Sequence, residues 1–264
     1  MNTKKLIKNL LREDVEDASK LLGLALNKSQ EFLFANLDYE VNSSEFKKFL
    51  SLVDERKSGK PFAYIKGSQG FYDNEFIVSS STLIPRPETE LLIDIIQDKL
   101  NPEKKLKALD LGTGSGIIAI TLSEKYPKWE ISATDKSKEA LSVAKLNARN
   151  SINFYCGSWF EPLPQEKFDL IVSNPPYISA NDPHLESLSF EPIEALVSGN
   201  DGLEDIRLII TQSPQYLNNG GLLLIEHGYD QKDRIIKLLG DSFKNVQTFK
   251  DLNGIDRAIV AELR

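Results

Sequence analysis

Two short stretches of this chain carry residue types whose spacing could do chemistry. The first is "SNPPYIS" at residues 173–179, directly after an apolar run at 168–172. Proline has no N–H and fixes its own φ, and each proline drives the residue before it toward extended backbone. Asn174, Pro175, Pro176 and Tyr177 are therefore held rigidly at the end of an expected strand. Such a loop suits a planar NH2 group as a methyl acceptor. Delocalisation of a carboxamide lone pair shows as a rotational barrier of about 18–20 kcal/mol, so that nitrogen is a poor nucleophile. The Asn174 side-chain oxygen and the Pro175 carbonyl can each accept one of its N–H groups. Hydrogen bonds to a charged group contribute about 1.5–3 kcal/mol each, and these would strengthen as the nitrogen gains positive charge. Tyr177 would stack on the planar group and aim it, and such positioning contributes about 7–11 kcal/mol. On this reading Asn174, Pro175 and Tyr177 are catalytic, and Asn174, Pro175, Pro176 and Tyr177 bind the acceptor. No metal and no nucleophilic side chain is required. The plain alternative is a turn or bulge stiffened by prolines.

The second stretch is "DLGTGSG" at 110–116, after an apolar strand and at the opening of a helix. Gly112, Gly114 and Gly116 permit a tight turn and close approach of backbone to a ligand. The dinucleotide fingerprint needs glycine where this chain has Ile117, which disfavours a dehydrogenase. The spacing G-x-G-x-G after an acid is the one used for S-adenosylmethionine. Asp110, Gly112, Thr113, Gly114, Ser115 and Gly116 are accordingly candidate cofactor contacts. Asp135 ends the next strand, where a carboxylate can accept from both ribose hydroxyls, although a helix-capping role is the simpler alternative. In "CGSWF" at 156–160, Ser158 and Trp159 lie where an adenine would sit, with Trp159 either stacking on the purine, walling the pocket or packing in the core.

The elements that must position these residues follow from periodicity. Residues 1–70 have apolar side chains at spacings of three and four in four segments, beginning with "TKKLIKNLLRED", and read as a helical bundle. Ser43 and Ser44 are expected helix caps, and Gly59-Lys60-Pro61 an expected stop. Residues 61–90 are rich in aromatic and β-branched side chains with turn signals at Gly67, Gly70 and Asp73-Asn74, which suggests a β-hairpin connector. From about residue 88, apolar strands alternate with helices of ten to fifteen residues, predicting a doubly wound α/β sheet with helices on both faces. Ligands of such sheets bind beyond the carboxyl ends of the strands. The expected domains are 1–70 (helical, substrate-recognising), 71–87 (hairpin connector) and 88–264 (cofactor-binding and catalytic).

Bulk properties narrow the class. A net charge of −7 argues against a dedicated nucleic-acid binder. Residues 1–70 hold twelve Lys and Arg against ten Asp and Glu, leaving twenty against twenty-nine for the rest, so any basic surface lies on the first segment and is slight. One cysteine, Cys156, precludes an internal disulfide, and with two histidines it makes no zinc spacing. The N-terminus lacks the continuous apolar core of a signal peptide, and no run approaches a membrane span. A cytoplasmic protein, monomeric and without membrane association, is expected.

Together "IPRPETE" (84–90), "DLGTGSG", "SNPPYI", "DPHL" (182–185), "FEP" (190–192), "ALVSGNDGL" (195–203) and "LLLIEHG" (222–228) resemble the release-factor glutamine methyltransferases, the PrmC/HemK group. The resemblance spans nearly the whole chain. It implies a class I S-adenosylmethionine-dependent methyltransferase fold, Rossmann-like with a mostly parallel sheet, plus a small N-terminal helical bundle joined by a hairpin. It implies N5-methylation of the glutamine in the Gly-Gly-Gln loop of class 1 peptide-chain release factors, leaving S-adenosyl-L-homocysteine. Gly112 to Gly116, Asp135, Trp159 and Asn174 would contact the cofactor, Asn174 to Tyr177 the acceptor, and the N-terminal helices the release factor. Relatives often carry Asp where this chain has Ser158, which implies weaker adenine anchoring here.

Rivals share the chemistry but not the acceptor. The exocyclic amine of adenine in DNA or RNA is also a planar NH2, yet enzymes acting on it usually add a basic surface. A ribosomal-protein glutamine is separated from the release factor only by the resemblance. A cofactor-binding module without catalysis would have lost one of the two motifs. Arg86, Glu88 and Glu90 either line the pocket mouth or form a helix-start cluster, and His184 and His227 are expected to be structural.

Overall fold

A computed structural model describes residues 5–264, in two units, Met1–Gly67 and Ser68–Arg264. The first is helical: α1 (Ile7–Leu10), α2 (Ala18–Leu26), α3 (Gln30–Ala35), α4 (Ser43–Lys57) and α5 (Phe62–Lys66). Their apolar faces meet in a core of Ile7, Leu21, Leu22, Leu33, Val41, Phe49 and Val53. The expected first helix is cut to one turn, and its residues Thr3 and Lys4 lie outside the described residues. The cap of α4 is Asn42, not Ser43 or Ser44. Asn42 Oδ1 accepts from the N–H groups of Ser44 and Glu45, and Glu45 returns a carboxylate oxygen to the Asn42 N–H, a reciprocal box. Residues 62–66, expected within the hairpin for their aromatic and β-branched content, instead form α5. Pro61 opens that helix, and Gly67, at φ +81°, closes it in the left-handed region.

The second unit opens with a hairpin, β1 (Ser68–Phe71) and β2 (Asn74–Ile77), followed by a 3-10 turn at Pro87–Thr89 and α6 (Glu90–Lys99). There follow β3 (Lys107–Leu111), α7 (Ile117–Lys125), β4 (Glu130–Asp135), α8 (Lys138–Asn147), β5 (Asn153–Cys156) and β6 (Phe168–Ser173). The chain ends with α9 (Glu204–Gln212), β7 (Leu217–Glu226), α10 (Lys232–Leu239), β8 (Phe243–Lys250) and β9 (Asp256–Leu263). The seven-stranded sheet runs β5-β4-β3-β6-β7-β9-β8, with β9 alone antiparallel to the other six strands, so the expected mostly parallel, doubly wound class is correct. Alternate residues of a strand face opposite layers. Ala108 packs with Leu92, Ile118 and the hairpin's Phe71 and Phe76, whereas Leu109 packs with Ile206, Ile209 and Ile235. β8 was not expected. It is an exposed, bulged edge strand whose side chains are largely polar, so it carries little of the apolar pattern that marks buried strands.

β3 leads to β4 on one side, while β6 lies on its other side. The order therefore reverses at β3/β6, and both chemical motifs leave the sheet there. Ser173 Oγ donates to the Leu111 carbonyl at 2.8 Å and ties the two strand ends together.

Candidate active site

The loop after β3 is built on main-chain donors. The N–H groups of Gly112 and Thr113 both donate to the Thr134 carbonyl at 2.9 Å, and Gly114 N–H donates to Asp135 Oδ2 at 2.9 Å. Gly114 has φ +57°, and a Cβ there would meet no atom within 4 Å, so its backbone borders open space. Gly116 has φ +89°, and a Cβ there would sit 2.6 Å from Ile120 Cδ1 and 3.2 Å from Ala144 Cβ; its role is close helix packing. Asp110 is buried, and burial pushes its carboxyl up to about 7. Its Oδ2 accepts from Thr113 Oγ1 at 2.6 Å and Ala119 N–H at 3.1 Å, which places it beneath the loop rather than on the cleft wall.

A cleft of about 250 Å3 opens above this loop. Gly112, Thr113, Gly114 and Ser115 line it from β3, and Asp135 from β4. Ser158 and Trp159 line it after β5, and Asn174 and Pro176 after β6. The structure thus gathers most of the sequence-predicted site residues on one wall-and-floor surface. Gly116, Pro175 and Tyr177 are not among the lining residues. Burial raises the Asp135 carboxyl, and hydrogen bonds from the N–H groups of Ser137 and Gly114 oppose the shift. Each of its oxygens takes one main-chain N–H and keeps a further lone pair, which a vicinal diol can use. Trp159 has φ +45°, and its ring lies so near Gly112 that a Cβ there would be 3.2 Å away. It both walls the cleft and packs against the core, so two of the three readings of that side chain hold together. Open space beside a left-handed glycine, a half-buried acid with spare lone pairs and an indole wall fit S-adenosylmethionine.

Asn174 is oriented by a residue the sequence reading missed. Its Nδ2 donates to Thr89 Oγ1 at 3.0 Å, and no described residue donates to its Oδ1. Thr89 is fully buried at the start of α6 and lines the cleft. Pro175 is buried, and its carbonyl accepts no hydrogen bond among the described residues. The loop is held from behind. Ile178 pairs with the 196–198 segment through Ile178 N–H to the Leu196 carbonyl and Ser198 N–H to the Ile178 carbonyl, both 2.9 Å. The Tyr177 carbonyl accepts from Gln231 Nε2 at 2.9 Å, and Gly202 leaves room for it, since a Cβ there would be 2.4 Å from that oxygen. The Tyr177 hydroxyl donates to Glu226 Oε1 at 3.1 Å. Burial, with the Glu226 charge next, pushes that phenol up.

Arg86 lines the cleft and pairs with Glu191, which is itself buried and accepts Ile84 N–H at 2.9 Å. Glu90 Oε1 accepts the Tyr72 N–H at 2.7 Å and so joins the hairpin to α6. His184 is exposed beside Asp182, whereas His227 is buried, with burial lowering its pKa. Thr89, Glu191 and Glu226 all fall inside the stretches "IPRPETE", "FEP" and "LLLIEHG", but nothing in spacing alone assigns them partners 85, 107 and 49 residues away. Among the described residues, no group of three or more His, Cys, Asp or Glu side chains could hold a metal ion. No helix among them is long and apolar enough to cross a membrane.

Comparison with known proteins agrees with this geometry. Residues 3–67 match the family model of the PrmC N-terminal domain, and residues 86–189 that of the methyltransferase small domain. The chain is similar to a release factor glutamine methyltransferase of Coxiella burnetii, 44% identical over 250 residues, covering 93% of this chain and 90% of that one. It is 42% identical over 251 residues to the protein of the same name from Xylella fastidiosa, covering 92% and 91%. Among solved structures, a 16S ribosomal RNA methyltransferase of Thermus thermophilus in complex with AdoMet and guanosine superposes with a TM-score of 0.57 at 20% identity. That likeness covers 75% of this chain and 50% of the other and concerns the fold alone.

Proposed function

This chain belongs to the family of release factor glutamine methyltransferases, and we propose on that premise that it methylates N5 of the glutamine in the Gly-Gly-Gln loop of class 1 release factors. The observation that supports this reading most directly is the state of Asn174: its NH2 is spent on Thr89, so its oxygen is free for a donor in the cleft.

The chain's own residues then do three things. Asp135 and the Gly112–Gly116 loop hold the cofactor's ribose and chain end, with Ser158 and Trp159 at its base. When bound, S-adenosylmethionine supplies an electrophilic methyl group on a positively charged sulfur that is already a good leaving group. Asn174 Oδ1 and the Pro175 carbonyl accept the two N–H groups of the acceptor amide and fix its nitrogen. Transfer would exchange the S–C bond for a C–N bond and leave the sulfur neutral, and the nitrogen would then lose one proton to solvent. Both acceptor bonds strengthen while positive charge builds on nitrogen, so they favour the transition state over the ground state. Tyr177, anchored through its hydroxyl and its carbonyl, keeps the loop from yielding as the acceptor docks.

The helical unit, residues 1–67, is assigned to holding the protein substrate. Exposed apolar side chains Phe34, Leu37 and Leu50 on it support that assignment. The reading places the chain in the cytoplasm, where peptide release occurs.

The test is methyl transfer from labelled S-adenosylmethionine to a purified release factor, beside a variant whose loop glutamine is alanine. Ribosomal proteins and adenine-rich DNA and RNA run in parallel. Label that enters the release factor and vanishes with the glutamine supports the reading. Label in one of the other acceptors instead replaces the substrate.

A further inference from the structure

The hydrogen-bond ladder of α7 begins at its N-cap, where the Gly116 carbonyl accepts the Ile120 N–H at 2.9 Å. The Ser115 carbonyl, one residue earlier, falls outside that ladder. Ser115 is buried and lines the cleft, and a buried carbonyl needs a donor from elsewhere. Asn147, the last residue of α8, supplies one: its Nδ2 donates to the Ser115 carbonyl at 2.9 Å.

The remaining hydrogen bonds of Asn147 go to the end of the hairpin. Its Nδ2 also donates to the Ile77 carbonyl at 3.0 Å, and its Oδ1 accepts the Ile77 N–H at 2.8 Å. A carboxamide has two N–H hydrogens and one acceptor oxygen, and here it meets two carbonyls and one N–H. An aspartate could serve the N–H alone. Ala144, three residues earlier and so on the same face of α8, packs against the loop; its Cβ would be 3.2 Å from a Cβ at Gly116. The small residue lets the loop settle on α8, and the amide ties it to β2. Ile77 itself is not among the residues lining the cleft.

We infer that Asn147 is a positioning residue for S-adenosylmethionine: by bonding the Ser115 carbonyl and both main-chain groups of Ile77, it fixes the cofactor loop against the hairpin. A loop without that tether must be ordered by the cofactor itself, which lowers affinity. The role belongs to cofactor binding and is the same whichever acceptor is methylated.

Hydrogen exchange of the Ile77 N–H is followed in the whole wild-type chain, without and with saturating S-adenosylmethionine. We expect the cofactor to slow it about tenfold or more, although Ile77 lies outside the cleft, because opening of the tether and loss of the cofactor are linked. Calorimetry then compares the wild type with Asn147→Ala and with Asn147→Asp, which keeps the shape but loses both donors. Both variants should bind S-adenosylmethionine about tenfold or more weakly, while kcat at saturating cofactor stays within about threefold of the wild type. A merely structural role would lower the melting temperature and leave that affinity unmoved. An affinity within about twofold of the wild type in either variant overturns the inference. So does an Ile77 exchange rate indifferent to the cofactor, a result that requires no variant to fold. A wild type that binds S-adenosylmethionine and protects Ile77, yet labels no release factor, would sink the substrate reading and leave Asn147 in its role.

Discussion

The Gly114 N–H donates to Asp135 Oδ2 at 2.9 Å, joining the loop after β3 to the end of β4 across the floor of the cleft. The same carboxylate that can take a ribose thereby also shapes the glycine loop. Removing it should cost twice, in a lost ligand contact and in a loosened loop. Asp135→Ala is expected to weaken S-adenosylmethionine binding by about thirtyfold or more, from about 2–3 kcal/mol of lost charge-assisted hydrogen bonding. Calorimetric titration checks it, and an affinity within about threefold of the wild type would remove Asp135 from the site.

The two outer roles of the glycine loop separate by substitution. Gly114→Ala meets open space and bears only the backbone cost of the left-handed region, about 1–2 kcal/mol. Gly116→Ala adds a clash with Ile120 and Ala144 at the same kind of φ. Chemical denaturation should show Gly116→Ala as the less stable variant, and Gly114→Ala should lose more cofactor affinity than stability.

Asn174→Ala should cut kcat for methyl transfer by about a hundredfold, as one acceptor bond that strengthens in the transition state disappears. Far-ultraviolet circular dichroism and melting should change little. Near-normal turnover in this variant removes Asn174 from the mechanism.

Ser158 lines the cleft beside Trp159. A hydroxyl can accept a bond from the adenine amino group, but without charge. Ser158→Asp should tighten cofactor binding by up to about tenfold, because a charged acceptor forms the stronger bond. Identical affinities would show that Ser158 does not bear on adenine.

Burial raises the Glu226 carboxyl to about 7 from 4.5, against the opposing hydrogen bond from the Tyr177 hydroxyl. The folded chain therefore keeps a proton that the unfolded chain has already released between those two values. Stability linked to this group is lost as pH rises through that window, by an order-of-magnitude limit of about 3 kcal/mol. Glu226→Gln lacks the titration. Its stability relative to the wild type should increase from pH 4.5 to pH 7 and level off above, as measured by urea denaturation. A constant difference across that range would show that Glu226 does not titrate as described.

Much of the site was legible in the linear sequence because its chemistry is local. Gly112, Gly114 and Gly116 must adopt backbone that other residues resist, and Asn174-Pro175-Pro176-Tyr177 is stiff by composition, so both motifs announce their conformation without help from the rest of the chain. The strands and helices that present them were legible for the same reason, since buried parallel strands are continuous apolar runs. Tertiary structure alone decided what lies behind those motifs. Thr89 reaches Asn174 across 85 residues, Glu226 reaches Tyr177 across 49 and Glu191 reaches Ile84 across 107. Each is a polar side chain whose partner depends on which strand ends the sheet order brings together, and no periodicity encodes that. The edge strand β8 and the short helix α5 escaped for a related reason: their state is set by pairing and capping rather than by an apolar face. Sequence named residues that face the cleft, and only the fold, by setting the Thr89 hydroxyl against Asn174 Nδ2, decided which end of that amide stays open to it.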